Sequence, residues 1–270
     1  ARDEQVITSW NAMMLQGLVD AYIGCGEVQY LTLALRNARF IEKHLKQGTE
    51  LYHSYSQGQL GMPGYLEDYA WVAQAFISLY QVTFEAHWLS TAEALVQYAL
   101  AHFYDEKIGL FHFVATNEPQ LIAQPKGLFD EVMPSPNSVM GHNLLALGVL
   151  LDNPAYTNTA VQMLRKISPR LPDHAAYLAN WATLFMRQLH PPVVVAIIGP
   201  ACRTWALTLQ QRLLGKAWLV GTEAASDYLP WLAHKQAMDG KTTIYVCRQG
   251  VCLPPTHSIA EALAQVAGID

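Results

Sequence analysis

Glu67-Asp68-Tyr69 opens an apolar run that continues to Leu79-Tyr80, and 20 residues beyond Asp68 the pair Trp88-Leu89 starts a second run ending near Phe103. The same figure stands on either side of it. Upstream, Thr8-Ser9-Trp10-Asn11 leads through Met13-Met14-Leu15 to Tyr22, turns at Gly24-Cys25-Gly26, and restarts at Tyr30-Leu31, 19 residues after Asn11. Downstream, Ser135-Pro136-Asn137-Ser138 leads through Leu144 to Leu151, turns at Asp152-Asn153-Pro154, and restarts at Tyr156, 19 residues after Asn137. A constant spacing between a polar helix start and an aromatic helix start describes stacked helical hairpins. In a ring of such hairpins the polar starts fall at one end, so Asn11, Asp68 and Asn137 are expected to face one cavity. Two long non-helical excursions, Gly48 to Pro63 and Asp105 to Met133, separate the hairpins. Loops of that length in a compact domain shape or carry sites.

The 270 residues are 51% hydrophobic, enough for one substantial core and a smaller one. A net charge of −5, with no run of Lys or Arg, argues against a nucleic-acid surface. The chain carries 7 Trp and 13 Tyr, numbers that suit stacking on sugar faces and hairpin packing alike. No apolar stretch reaches bilayer length and no signal peptide is visible, so a soluble, cytoplasmic protein without a membrane partner is expected. The four cysteines are too few and scattered for a disulfide-stapled domain, and reduced thiols are expected. Burial among apolar neighbours makes Cys247 and Cys252 free, structural residues on this reading.

The helical figure stops at His190-Pro191-Pro192, and Val193 to Gly199 is a continuous β-branched run of the kind found in buried parallel strands. A helix from Ala201 to Leu214 follows, then a strand at Ala217 to Val220, a helical stretch around Tyr228 to Ala233, a strand at Thr242 to Val246, and a helix from Ser258 to Val266. The expected organisation is therefore a helical-hairpin domain over residues 1–190 and a small α/β domain with parallel strands over 191–270.

Several motifs resemble the C-terminal portion of the spermatogenesis-associated protein 20, or YyaL, family of thioredoxin-domain-containing proteins. They are Arg2-Asp3-Glu4-Gln5-Val6-Ile7-Thr8-Ser9-Trp10-Asn11, Gly64-Tyr65-Leu66-Glu67-Asp68-Tyr69-Ala70, Pro134-Ser135-Pro136-Asn137-Ser138, and Tyr245-Val246-Cys247 with Cys252 and Pro254. The resemblance implies a six-hairpin (α/α) toroid, similar to those of glycosidases and sugar epimerases, and a preceding thioredoxin-like domain as partner. That domain has no counterpart in these residues, and the hairpins are too few to close a six-membered ring, so a partial toroid is expected. Pro136 departs from the family's Gly.

Acidic residues at a helix start complement the helix dipole and cap its amides, and Glu67 and Asp68 fit that role. Beside Tyr65, Tyr69 and Trp71 they also fit a sugar cavity. Adjacent helical residues diverge by about 100°, so only one of the two can face a ligand. A glycosidase needs a second, facing carboxylate, for which Asp130 or Glu131 is the candidate; an epimerase needs bases, for which His53 and His142 are candidates. The expected catalytic set is Glu67, Asp68, His53 and Asp130, with Trp10, Asn11, Tyr69, Ser135 and Asn137 binding a saccharide, and neither metal nor cofactor. The alternative is a non-catalytic scaffold that presents a thioredoxin-like module.

Overall fold

The computed structural model describes residues 4–118, 126–190 and 192–268. Arg2 and Asp3 of the opening motif, part of the 105–133 excursion and Pro191 of the break lie outside them. Three hairpins of antiparallel helices follow one another: α1 (Thr8–Cys25) with α2 (Val28–His44), α3 (Leu66–Thr83) with α4 (Ala86–His102), and α5 (Pro136–Leu150) with α6 (Pro154–Ile167). A short α7 (Leu171–His174) leads to α8 (Ala179–Leu189), which packs against α5 and α6. The chain is a partial α/α toroid carrying a small α/β layer.

The inner helices are α3 and α5, which are buried around most of their circumference, whereas α2, α6 and α8 bury a single stripe. Helix α3 packs against both α1 and α5. The Asn143 amide of α5 donates to the Ala70 carbonyl of α3 at 2.7 Å, which locks the two inner helices in parallel. Gly148 sits where a Cβ would lie 2.8 Å from the Thr157 amide, so a side chain there would force α5 and α6 apart. The third hairpin start, where Pro replaces Gly, is unstrained. Pro136 occupies the first turn of α5, a position that needs no amide and suits the fixed φ of proline, and Ser135 caps the helix by accepting from Ser138 N at 3.2 Å.

The excursions fold into ribbons. Strand β1 (Val6–Ile7) pairs with β4 (Ser54–Ser56), which pairs with β5 (Gln59–Leu60); β2 (Lys46–Gln47) pairs with β3 (Glu50–Leu51); β6 (Tyr104–Asp105) pairs with β7 (Leu110–Phe111). These ribbons lie over the starts of the inner helices.

The last part of the chain forms a four-stranded sheet from β8 (Val193–Ile198), β9 (Ala217–Thr222), β10 (Thr243–Arg248) and β11 (Val251–Cys252), in the order β11-β10-β8-β9. All of β8 is buried because each face has a cover. Val194, Ala196 and Ile198 join the helical core, while Val193, Val195 and Ile197 pack under α9 (Cys202–Leu213) and α10 (Ile259–Ala267). Gln81 of α3 ties the layers together, accepting from Leu219 N through its side chain and from the Gln210 amide through its carbonyl.

Two expectations fail in this layer. Only β8 and β9 run parallel; β10 is antiparallel to β8, because Tyr228 to Ala233 forms turns rather than a crossover helix that would return the chain to the starting edge. The second failure concerns the cysteines. Gln249 and Gly250 both have positive φ, as a tight two-residue hairpin turn requires, and that turn sets Cys247 directly opposite Cys252. The two are joined in a disulfide rather than left as free thiols. Cys25 and Cys202 are free.

Candidate functional site

The helix starts meet at one end of the toroid through hydrogen bonds between them. Asp68, third residue of α3, accepts from the Ser9 amide of α1 at 3.0 Å; Leu66 N donates to the Phe113 carbonyl after β7; and Asn137 of α5 grips Phe111 of β7 through both amide atoms, at 2.8 and 3.0 Å. The starts of α1, α3 and α5, and with them Asn11, Asp68 and Asn137, thus stand at one end of the helical layer, the mouth.

At its centre lie His53, Glu67 and Asp68, whose ligating atoms are all within 4.8 Å of one another. The divergence expected of neighbouring helical residues is present. Asp68 has a wholly buried side chain and faces the scaffold: besides Ser9 N, it accepts from Tyr65 N at 2.9 Å and from His53 Nδ1 at 3.0 Å. The Tyr65 bond closes the first turn of α3, as a carboxylate at that position commonly does. His53 arrives from the ribbon between β3 and β4, and its ring packs against Tyr65 with centroids 4.8 Å apart. With Nδ1 held by Asp68, Nε2 is the ring nitrogen without a protein hydrogen bond among the described residues.

The electrostatics follow from this packing. The hydrogen bond to Asp68 raises the His53 ring above its ordinary value, and burial opposes that rise. Burial also pushes the Asp68 carboxyl up, while the imidazole and the two amides pull it back. A neutral Asp68 would remove the charge that holds the extra proton on His53. The two backbone amides that point at the Asp68 carboxylate favour its charged form, and that charge in turn favours the proton on the His53 ring. Glu67 is raised first by burial and second by the Asp68 charge, and its carboxyl lies beside the Ser9 hydroxyl, which falls outside strict hydrogen-bond geometry. Trp71, one helical turn from Glu67, has a buried indole N–H without an acceptor among the described residues. For a metal, three donors already occupy most of the roughly four lone-pair sites of Asp68, which leaves chiefly one imidazole nitrogen and the Glu67 carboxylate, short of the three or four protein ligands of a zinc centre.

The remaining expected site residues divide by what they hold. Asp130 gives one oxygen to Ser135 N at 2.8 Å and the other to Asn180 N at 2.9 Å, fastening the start of α8 to that of α5. Tyr69 is buried and its hydroxyl accepts from Leu51 N. Ser135 caps α5, and the Asn11 amide returns to the Ile7 carbonyl. Trp10 is 64% exposed at the rim. His142 is buried with Nε2 on the Asn180 carbonyl at 3.0 Å, and burial pushes it down to about 4, so it stays neutral. Sequence reasoning missed the pairing of His53 with Asp68, since the two lie 15 residues apart on unlike elements. A histidine in a ribbon just before an acidic helix start was the available signal.

No protein-family profile matches the chain. It is similar over 96% of its length to an uncharacterised protein of Caenorhabditis elegans, at 28% identity, and over 94% to spermatogenesis-associated protein 20 of Rattus norvegicus, at 26%. The resemblance read from the motifs thus extends along nearly the whole chain, which spans 37% and 35% of those two relatives. Among solved structures, a GH76 α-mannanase of Bacteroides thetaiotaomicron superposes with a TM-score of 0.53 at 14% identity, covering 63% of this chain and 46% of that one. A sugar epimerase from a ruminal bacterium gives 0.53 at 13%, covering 62% and 46%. At such identities the likeness establishes the α/α toroid fold.

Proposed function

We propose that the mouth of the toroid binds a saccharide and that His53 and Glu67 move protons on it, in the manner of a sugar isomerase or epimerase. The observation that carries this reading is the oriented His53–Asp68 pair with Glu67 beside it, facing the same end as Trp10. A proton beside a sugar carbonyl is taken by the neutral form of the ring at Nε2, while Glu67 in its protonated form, which burial and the Asp68 charge favour, donates to the carbonyl oxygen. An enediol results. Return of the ring's proton to the neighbouring carbon, and of the hydroxyl proton to Glu67, restores both groups and completes the isomerisation. Hydrolysis is the weaker reading, because it needs a second facing carboxylate: Asp130 is bonded through both oxygens to backbone amides, and Glu131 is an exposed loop residue.

A scaffold that serves a thioredoxin-like module is the second reading. It draws support from the polar groups at the mouth already given to structural bonds, namely Asp68, Tyr69, Asp130 and Asn137. A panel of mono- and disaccharides in a thermal-shift assay, followed by solvent-deuterium uptake at the carbon beside the carbonyl, separates the two. The isomerase reading expects a stabilising sugar whose deuterium uptake is lost in Glu67→Gln and in His53→Gln. A panel without any shift leaves the scaffold.

A further inference from the structure

At the end of the helices opposite the mouth, a cleft of about 1300 Å³ opens between the C-terminal halves of α5 and α8 and the α/β layer. Its walls carry Arg187, Arg212, Lys216 and Arg248 against a single carboxylate, Asp152, in a chain whose net charge is −5. The local sign is the reverse of the global one. Among the described residues no carboxylate forms an ion pair with Arg187, Arg212 or Lys216. Arg187, an exposed residue, lies over the Trp218 ring at 5.6 Å, and the partial desolvation of its guanidinium lowers its proton affinity with no acidic neighbour to offset it.

Helix dipoles account for part of this charge, since Arg187 and Arg212 occupy the last turns of α8 and α9, where cations are favoured. They do not account for Lys216, in the turn before β9, or Arg248, at the end of β10. Beside the cations, Trp218 and Trp231 supply flat aromatic wall, and the Trp231 N–H is held by the Val149 carbonyl, which fixes its ring. The volume exceeds the roughly 300–1000 Å³ of common small-ligand pockets.

From the juxtaposition of these four cations with two aromatic walls in one large cleft, we infer a binding site for a phosphorylated small molecule bearing an aromatic group, of the nucleotide class. The phosphates meet Arg187, Arg212 and Lys216, and the base meets Trp218.

The test is calorimetric titration of the whole 270-residue chain with ATP, with tripolyphosphate as the anion alone and with adenosine as the aromatic alone. Expected is the order ATP, then tripolyphosphate, then adenosine, with affinity for the first two falling as salt rises. Arg187→Gln and Lys216→Gln should each weaken ATP by about tenfold, the scale of one lost charged contact. Trp218→Leu should weaken ATP and leave tripolyphosphate unchanged. Glu67→Gln, at the other end of the helices, should leave ATP binding intact, so failure here is distinct from failure of the saccharide reading. Absence of ATP and tripolyphosphate binding at millimolar concentration by folded protein overturns the proposal, as does binding that survives both Arg187→Gln and Lys216→Gln. Since Lys216 is exposed, its substitution tests the site without disturbing the core.

Discussion

The two ends of the helical layer are built on opposite rules. At the mouth, where helices start, Asp68, Asp130 and Asn137 are sunk among backbone groups that bond them. At the cleft, where helices end, Arg187, Arg212 and Lys216 stand around open space with no carboxylate paired to them among the described residues. Helix polarity favours these signs at these ends, but it does not favour their degree of satisfaction. Bonded groups hold an architecture together, and groups left over are available to a ligand. The same contrast recurs within the mouth, between adjacent residues: Asp68 is bonded to three donors, and Glu67 is not.

The largest expected effect tests the bonded half of the contrast. Asp68→Ala removes the acceptor of Ser9 N, Tyr65 N and His53 at once, and should lower stability by about 3–5 kcal/mol in urea unfolding, the range for breaking a buried, hydrogen-bonded charge. A loss below about 1 kcal/mol would mean that the mouth is not held by this carboxylate.

Next comes the hairpin whose turn lines the cleft. Reducing the Cys247–Cys252 disulfide releases a short loop, and chain entropy alone sets the cost at about 2 kcal/mol. Thiol counting before and after reductant should rise by two, from the free Cys25 and Cys202. Four accessible thiols in unfolded protein without reductant would restore the expectation read from the sequence.

A smaller effect depends on pH. His53 is raised in the folded state by Asp68, so its contribution is fully present below the unfolded value of about 6.5 and disappears as pH climbs through the raised folded value. The destabilisation caused by His53→Gln should therefore be larger at pH 6 than at pH 9. An equal loss at both would show a packing role against Tyr65 instead of a charged pair.

The smallest change in stability belongs to Glu67. Its folded value is raised by burial and by Asp68, so ionisation penalises the fold, a penalty absent below the unfolded value and growing as pH rises past it. Glu67→Gln should leave stability unchanged near pH 4 and raise the melting temperature slightly at pH 7. A large loss at pH 7 would erase the distinction between the bonded and the available carboxylate.

How much of this was legible beforehand depends on the range of the interaction. The hairpin figure at 19- and 20-residue spacing was readable because helix periodicity and turn chemistry are local. So was the divergence of Glu67 from Asp68, a consequence of 100° per residue. The sheet's register was not, since a β-branched run marks a buried strand without fixing the direction of its neighbours; that was decided by the turns at Tyr228 to Ala233, which carry no crossover. The disulfide was hidden for a similar reason. Its formation depends on two positive φ angles in the turn, one of them at Gln249, where a side chain gives no warning of it.

By itself, then, the chain determined the number, polarity and order of its helical hairpins, and it placed the polar starts at one end, because these follow from patterns within a few turns of helix. Tertiary structure alone decided which polar groups were used up. Asp130 and Asn137 looked as available as Glu67 until the amides of Ser135, Asn180 and Phe111 met them, and Arg187, Arg212, Lys216 and Arg248 had no visible relation until two layers packed and left a cleft between them. Hydrogen-bond satisfaction and enclosed volume belong to residues far apart in sequence, and they come into being only when the layers meet.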